Sequence, residues 1–298
     1  MIDVTKGYKA FEPGLICRGK YYAENTTFEE EGGKLCGAGM MHYCTNPLDC
    51  LEYYPLLNDD CTLNDFAEVV AEEAPVGDGK KYATKKLHIG AKLDLRGLIK
   101  AAFSFIWETS EHDGLTASAE RNAKLAASGD SAKLAASGDS AKLAASGDSA
   151  KLAASGYSAQ LAASGDYAKL AASGDSAKLA ASGDYAKLAA SGDSAKLAAS
   201  GDYAQLAASG DSAQLAASGD YAQLAASGED SIVAGIGFDN IGKAALGCWL
   251  VLAEWVWNRE KERYVPACVK AAQIDGEKLK PDTYYKLQNG EFTEVNNG

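Results

Sequence analysis

The sequence predicts an α+β protein built around a central α-solenoid, and three observations predict it. Leucine recurs every nine residues, at 125, 134, 143, 152, 161, 170, 179, 188, 197, 206, 215 and 224. Each leucine lies in a unit A-[KQ]-L-A-A-S-G-D-[SY], whose Ala, Lys, Leu and Gln are strong helix formers. Asp130 and its equivalents stand where a helix N-cap would accept amide protons, and Gly129 and its equivalents where a left-handed C′ residue would close the preceding helix. The expected architecture is a short-helix α-solenoid over 114–230. It lies between an N-terminal α/β domain over 1–113 and a β-rich C-terminal cap over 231–298.

A helix of under two turns does not persist alone in water, so the units must stack on one another. A calcium-binding β-roll needs paired glycines and β-prone residues, whereas this unit has one glycine and no β-branched residue. A β-solenoid of another kind is the rival architecture. Thr116 to Asn122 form a degenerate copy ahead of the array, as a terminal cap would. Tyr157 and Glu229 interrupt the Gly-Asp pair.

A second period lies over the first. The residue after Asp alternates as Ser158, Tyr167, Ser176, Tyr185, Ser194, Tyr203, Ser212 and Tyr221, so the structural unit is 18 residues, two helices per layer. All four tyrosines then share one side. On a helical wheel the position falls inside the apolar arc, where tyrosine would fill core space that serine leaves open. The alternative is a row of phenols, Tyr167, Tyr185, Tyr203 and Tyr221, that stacks a ligand or partner. The lysines fall on the opposite, solvated face.

The flanks have ordinary complexity. Tyr8–Phe11 and Leu15–Tyr22 read as strands around Pro13-Gly14, and Lys34–Cys44 as a strand broken by Gly37 and Gly39. Asn46 caps a helix beginning at Pro47 and running to Tyr54, and Leu95–Trp107 has helical spacing suited to covering the first repeat. Strands are expected over 232–236, 249–257, 264–272, 284–287 and 292–295, with a tight turn at Asn289-Gly290.

Composition narrows the function. A net charge of −12 argues against a nucleic-acid partner, and no 18-residue apolar run exists to cross a membrane. Seven cysteines, an odd number with no C-x-x-C pair, suit buried thiols in a reducing compartment. With no secretory signal in the first residues, a cytoplasmic location is expected. No metal, cofactor or phosphate-loop motif appears. His42 and Cys44 would share a strand face, and Cys17 with His88 is a second conceivable pair, but neither has an orienting third group. His88 and His112 are otherwise lone histidines.

The pattern Y-K-A-F…C-R-G-K-Y-Y…H-Y-C-T-N-P-L-D-C-L-E-Y-Y resembles an uncharacterised domain family of bacteriophages and prophages of gut bacteria. Members often carry S-G-[DN]-[YS]-[SA] arrays and a tail like W-L-V-L-A-E-W…D-T-Y-Y-K-L-Q-N-G-E-F-T-E-V. The departure here is Met40-Met41-His42, where such families have Gly-Phe-His. The resemblance implies no assigned activity. A fainter one is to ADP-ribosyltransferases, which would give Arg18 the NAD phosphates and Glu254 the ribose, with His42 and its neighbours standing where Ser-Thr-Ser belongs. The expected function is a non-catalytic phage-type scaffold binding a host protein or small ligand. The alternatives are such an enzyme, with a repeat insertion, and a self-assembling, homo-oligomeric repeat protein.

Overall fold

A computed structural model of the chain describes residues 5–32, 39–58, 62–77, 79–110 and 116–295. It divides into two compact units, 1–109 and 110–298.

The first unit is a seven-stranded sheet in the spatial order Thr26–Glu29, Lys86–Leu93, Asp65–Ala71, Lys6–Phe11, Met41–Cys44, Lys81–Thr84 and Val76–Gly77. Every pairing in it is antiparallel. It therefore lacks the parallel β-α-β units of an α/β domain, correcting that expectation. One face carries the core: Phe11, Leu15, Met41, Tyr43, Ala67, Val69, Leu87 and Ile89 are buried together. The Asn46 side chain accepts the Leu48 amide at 3.0 Å, starting a 3-10 helix, Pro47–Glu52, with proline at its first position. Ile16–Cys17 and Lys20–Tyr21 form a hairpin whose two turn residues, Arg18 and Gly19, have φ of 52° and 75°. Such a turn matches the twist of its strands. The helix Leu95–Ser110 closes the unit, with the Asp94 carboxylate accepting the Gly97 amide at 2.6 Å.

The second unit overturns the α-solenoid. Each K-L-A-A or Q-L-A-A segment is a four-residue strand, and alternate segments belong to two parallel sheets. Each sheet runs eight parallel strands deep, so the array and its flanks make eight coils of a β-solenoid. Pairing is in perfect register one coil on: Leu134 with Leu152 with Leu170 on one wall, Leu143 with Leu161 with Leu179 on the other.

Alternation explains the sidedness. In A-K-L-A-A, the first Ala, the Leu and the last Ala are separated by two, and in a strand such residues face one way. Ala150, Leu152 and Ala154 are accordingly buried, as are Ala159, Leu161 and Ala163. A nine-residue helix would leave most of its backbone donors and acceptors without partners, whereas a strand pairs them with an identical strand one coil away. That pairing outweighs a helix preference of a few tenths of a kcal/mol per residue.

The turns reassign the roles expected for Gly and Asp. Glycine is needed for close stacking of coils, because a Cβ at Gly183 would lie 2.3 Å from the Gly165 carbonyl oxygen. The left-handed residue is the Ser or Tyr two places on, with φ of 55° to 58° from Ser131 to Tyr221. Its amide donates to a backbone carbonyl one coil ahead, usually that of aspartate, as from Ser131 to Asp148 at 2.7 Å and from Tyr167 to Asp184 at 2.8 Å. These vertical bonds hold side-chain-bearing residues in a conformation that otherwise costs about 1–3 kcal/mol.

Beyond the array the coils continue through Ile232–Gly235 and Ile241–Ala244. Gly242 replaces the inward Leu because Leu250 occupies that space: a Cβ there would lie 2.7 Å from the Leu250 side chain. Trp249–Asn258 extends one wall and turns back as Arg263–Gln273, while Tyr285–Gln288 and Glu291–Glu294 pair antiparallel on the other. Reversing strand direction ends the parallel stack, and Ile274, Leu279, Tyr285 and Leu287 join its last apolar layer. Among the described residues, no helix is long and apolar enough to cross a membrane.

Gly183→Ala is expected to destabilise the solenoid by about 1–3 kcal/mol, since backbone must move to admit the methyl. Gly129→Ala, where nothing lies within 4 Å, is expected to stay within about 0.5 kcal/mol. Chemical denaturation followed by far-UV circular dichroism compares the two. Equal losses would contradict the stacking role.

Candidate functional sites: an aromatic ladder and a cationic cleft

The turn chemistry that builds the coils also builds a column of carboxylates. At one corner Asp148 donates its amide to the Asp130 carboxylate at 3.2 Å, Asp166 to Asp148 at 2.9 Å, and Asp184 to Asp166 and Asp202 to Asp184, each at 2.8 Å. The opposite corner repeats this from Asp175 through Asp193 and Asp211 to Glu229. Aspartate is thus an inter-coil acceptor rather than a helix cap. Tyr157, in the second column, has no carboxylate to offer Asp175. Its hydroxyl instead accepts from Ser176 Oγ at 3.5 Å.

Beside the first column stand the four alternating tyrosines. Their rings are stacked in parallel, centroid to centroid 5.0 Å, with interplanar angles of 4° to 9°. That spacing is close to the rise of one coil. They are exposed, from 53% at Tyr167 to 41% at Tyr221, and so do not fill the core. Sequence reasoning missed what ends the ladder. Phe238 sets its ring edge-on to Tyr221 at 5.5 Å and packs on Tyr264 at 4.4 Å, which meets Trp257 at 5.3 Å. Phe238 stands where the Asp column would continue, its amide still donating to the Asp220 carboxylate, and 18-residue spacing could have flagged it.

The phenol pKa values of Tyr185 and Tyr221 are raised. Partial burial within the stack is the largest cause, followed by the neighbouring phenols and carboxylates. An acid whose folded pKa is raised stabilises the fold fully below its unfolded value, about pH 10, and loses that contribution as pH rises through the folded value.

On the wall through Leu143 the outward positions are open: Lys142 and Ala144 are exposed, Leu143 and Ala145 buried. Exposed alanines at 144, 162, 180 and 198 make a flat column there. On the other wall Lys151–Ala154 and Lys169–Ala172 are buried throughout.

The first unit holds a cleft of about 260 Å³. Arg18 and His42 both line it, together with Lys9, Lys20, Lys81, Glu30, five tyrosines (Tyr8, Tyr22, Tyr43, Tyr53 and Tyr54) and Cys17, Cys44 and Cys50. Lys9 Nζ donates to the His42 carbonyl at 3.0 Å and lies over the Phe11 and Tyr22 rings. Lys20 pairs with Glu30, and Lys81 sits 4.5 Å above the Tyr53 ring. Burial, then the charges of Lys81, Lys9 and Arg18, lower the His42 pKa to about 4, so its ring is neutral at physiological pH.

His42 and Cys44 both line the cleft, whereas Cys17 and His88 engage different partners. Cys17 accepts the Tyr54 hydroxyl at 3.2 Å, while His88 Nδ1 lies 3.0 Å from Thr27 Oγ1. Cys50 donates to the Tyr8 carbonyl at 3.2 Å, and its thiol pKa is raised by its hydrogen bond with Cys44 and by burial. Cys17, Cys44, Cys50, Cys248 and Cys268 are free thiols; Cys36, Cys61 and His112 lie outside the described residues. Among the described residues no cluster of three His, Cys, Asp or Glu is placed to hold a metal. Glu254 belongs to the second unit, where its two carboxylate oxygens accept the Asn289 and Gly290 amides at 2.8 and 2.7 Å. It therefore clamps the Asn-Gly hairpin turn.

Replacing Tyr167, Tyr185, Tyr203 and Tyr221 together by Phe is expected to remove a loss of solenoid stability above about pH 10. Denaturant midpoints measured from pH 8 to 11 for wild type and variant check this. Parallel alkaline losses would exclude the ladder as their source.

Residues 5–101 match the family model described as Domain of unknown function (DUF7666). No curated protein and no solved structure matches the chain.

Proposed function

We propose that this chain is a non-catalytic scaffold of bacteriophage type whose β-solenoid presents the tyrosine ladder to a host protein or small ligand. The observation that carries this reading is the ladder's independence from the fold. Ser131 and Ser149 hold the same corner, with the same left-handed backbone and the same inter-coil bond, as Tyr167 and Tyr185. Tyrosine is therefore not required to build a coil. What it adds is an exposed stack of phenols beside a column of carboxylates. Such a stripe suits a partner offering planar or cationic groups, since aromatic faces attract both. The phage assignment rests on the resemblance of the head motifs.

A second reading is self-association through the open wall. Its flat column of exposed alanines, at one height per coil, is a surface on which a second regular wall could lie closely.

Substituting all four tyrosines by Ser reproduces the turns of the earliest coils, so an unchanged circular dichroism spectrum is expected. Wild type is expected to retain a partner or ligand from bacterial lysate, read by pull-down and native mass spectrometry, and the variant to lose it. Equal retention by both proteins, or none by wild type, would refute the ladder's role. Concentration-dependent oligomers would favour the second reading.

A further inference from the structure

We propose that the cleft of the first unit binds a small phosphorylated aromatic molecule of mononucleotide size, with the phosphate on Arg18 and Lys9 and the ring against the tyrosine-lined wall. This site is independent of the solenoid and of the ladder.

Charge is the first argument. The chain carries −12 overall, yet the cleft gathers Lys9, Arg18, Lys20 and Lys81 around one carboxylate, Glu30, already engaged by Lys20. Lys9 is the most telling of these cations. It is only 6% exposed, and among the described residues it has no carboxylate partner. A buried ammonium is costly unless an anion meets it, and the His42 carbonyl takes only one of its three protons. Arg18 stands at the tip of the two-residue turn with φ of 52°, its planar donors without an ion pair among the described residues. A guanidinium and an ammonium that line one cleft, and whose charges both reach His42, are a donor set from which a phosphate accepts strongly.

Shape is the second. Lysines already lie over the Tyr22 and Tyr53 rings, while Tyr8 and Tyr54 give the lining aromatic surface that inorganic phosphate alone would leave unused. A volume of about 260 Å³ lies just below the range of sites for larger ligands, so one ring system with one phosphate fits and a dinucleotide does not.

The test titrates the full chain by calorimetry at low salt with 5′-AMP, adenosine and inorganic phosphate. AMP is expected to bind, with adenosine and phosphate each weaker by about tenfold or more. Arg18→Asn removes the cation with a residue that tolerates the left-handed turn, and is expected to weaken AMP by about tenfold with an unchanged melting curve. A readout without mutation is the His42 ring titration by NMR, which bound phosphate should move upward from about 4. The proposal falls if AMP fails to bind at millimolar concentration. It also falls if adenosine or phosphate matches AMP, or if the His42 titration is unmoved by AMP.

Discussion

Backbone hydrogen bonding between residues 18 apart is the interaction on which this solenoid depends. A four-residue strand has almost no stability of its own. Here each is held from both sides by copies of itself, with Leu above Leu and Ala above Ala. Inward Leu and flanking Ala then stack as continuous apolar columns, and the core is as long as the stack. Because each coil chiefly contacts its neighbours, stability grows coil by coil and the ends become the weak points. The reversed strands after Trp249 meet that weakness at one end.

The vertical bond also dictates which residues the turns admit. The carbonyl of each glycine lies so close to the α-carbon of the glycine one coil on that only hydrogen fits there. Aspartate is short enough to take the next coil's amide at its own corner, which satisfies a donor that the strands cannot reach. The corner after it must be left-handed, and the bond to the next coil holds it there. Once those three demands are met, the side chain of the last residue is free to vary. Serine and tyrosine share that position because the backbone, not the side chain, does the structural job.

The two units build their surfaces by different devices. The solenoid repeats one small geometry until a side chain allowed at one corner becomes a continuous aromatic edge. The head does the opposite, drawing cations from separate strands and a hairpin tip into one concave site within an acidic chain. Its neutral histidine reflects burial first and the field of those cations second.

Much of this was legible in the sequence, and one central element was not. The nine- and 18-residue periods, the Asn46 cap, and the strands near Tyr8, Trp249, Tyr264 and Tyr285 follow from local pattern and turn chemistry. So does the Asn-Gly hairpin. Arg18 and His42 could be singled out, but Lys9, Lys20, Tyr53 and Lys81 became site residues only when the antiparallel sheet brought distant segments together. The unit A-K-L-A-A is ambiguous in itself: it is rich in helix formers, and it alternates Ala, Leu and Ala at a strand's period of two. Sequence determined the repeat, its spacing and the residue offered at each corner. Tertiary structure alone decided strand over helix, because the hydrogen bonds that favour the strand join residues a full coil apart and exist only once the coils are stacked.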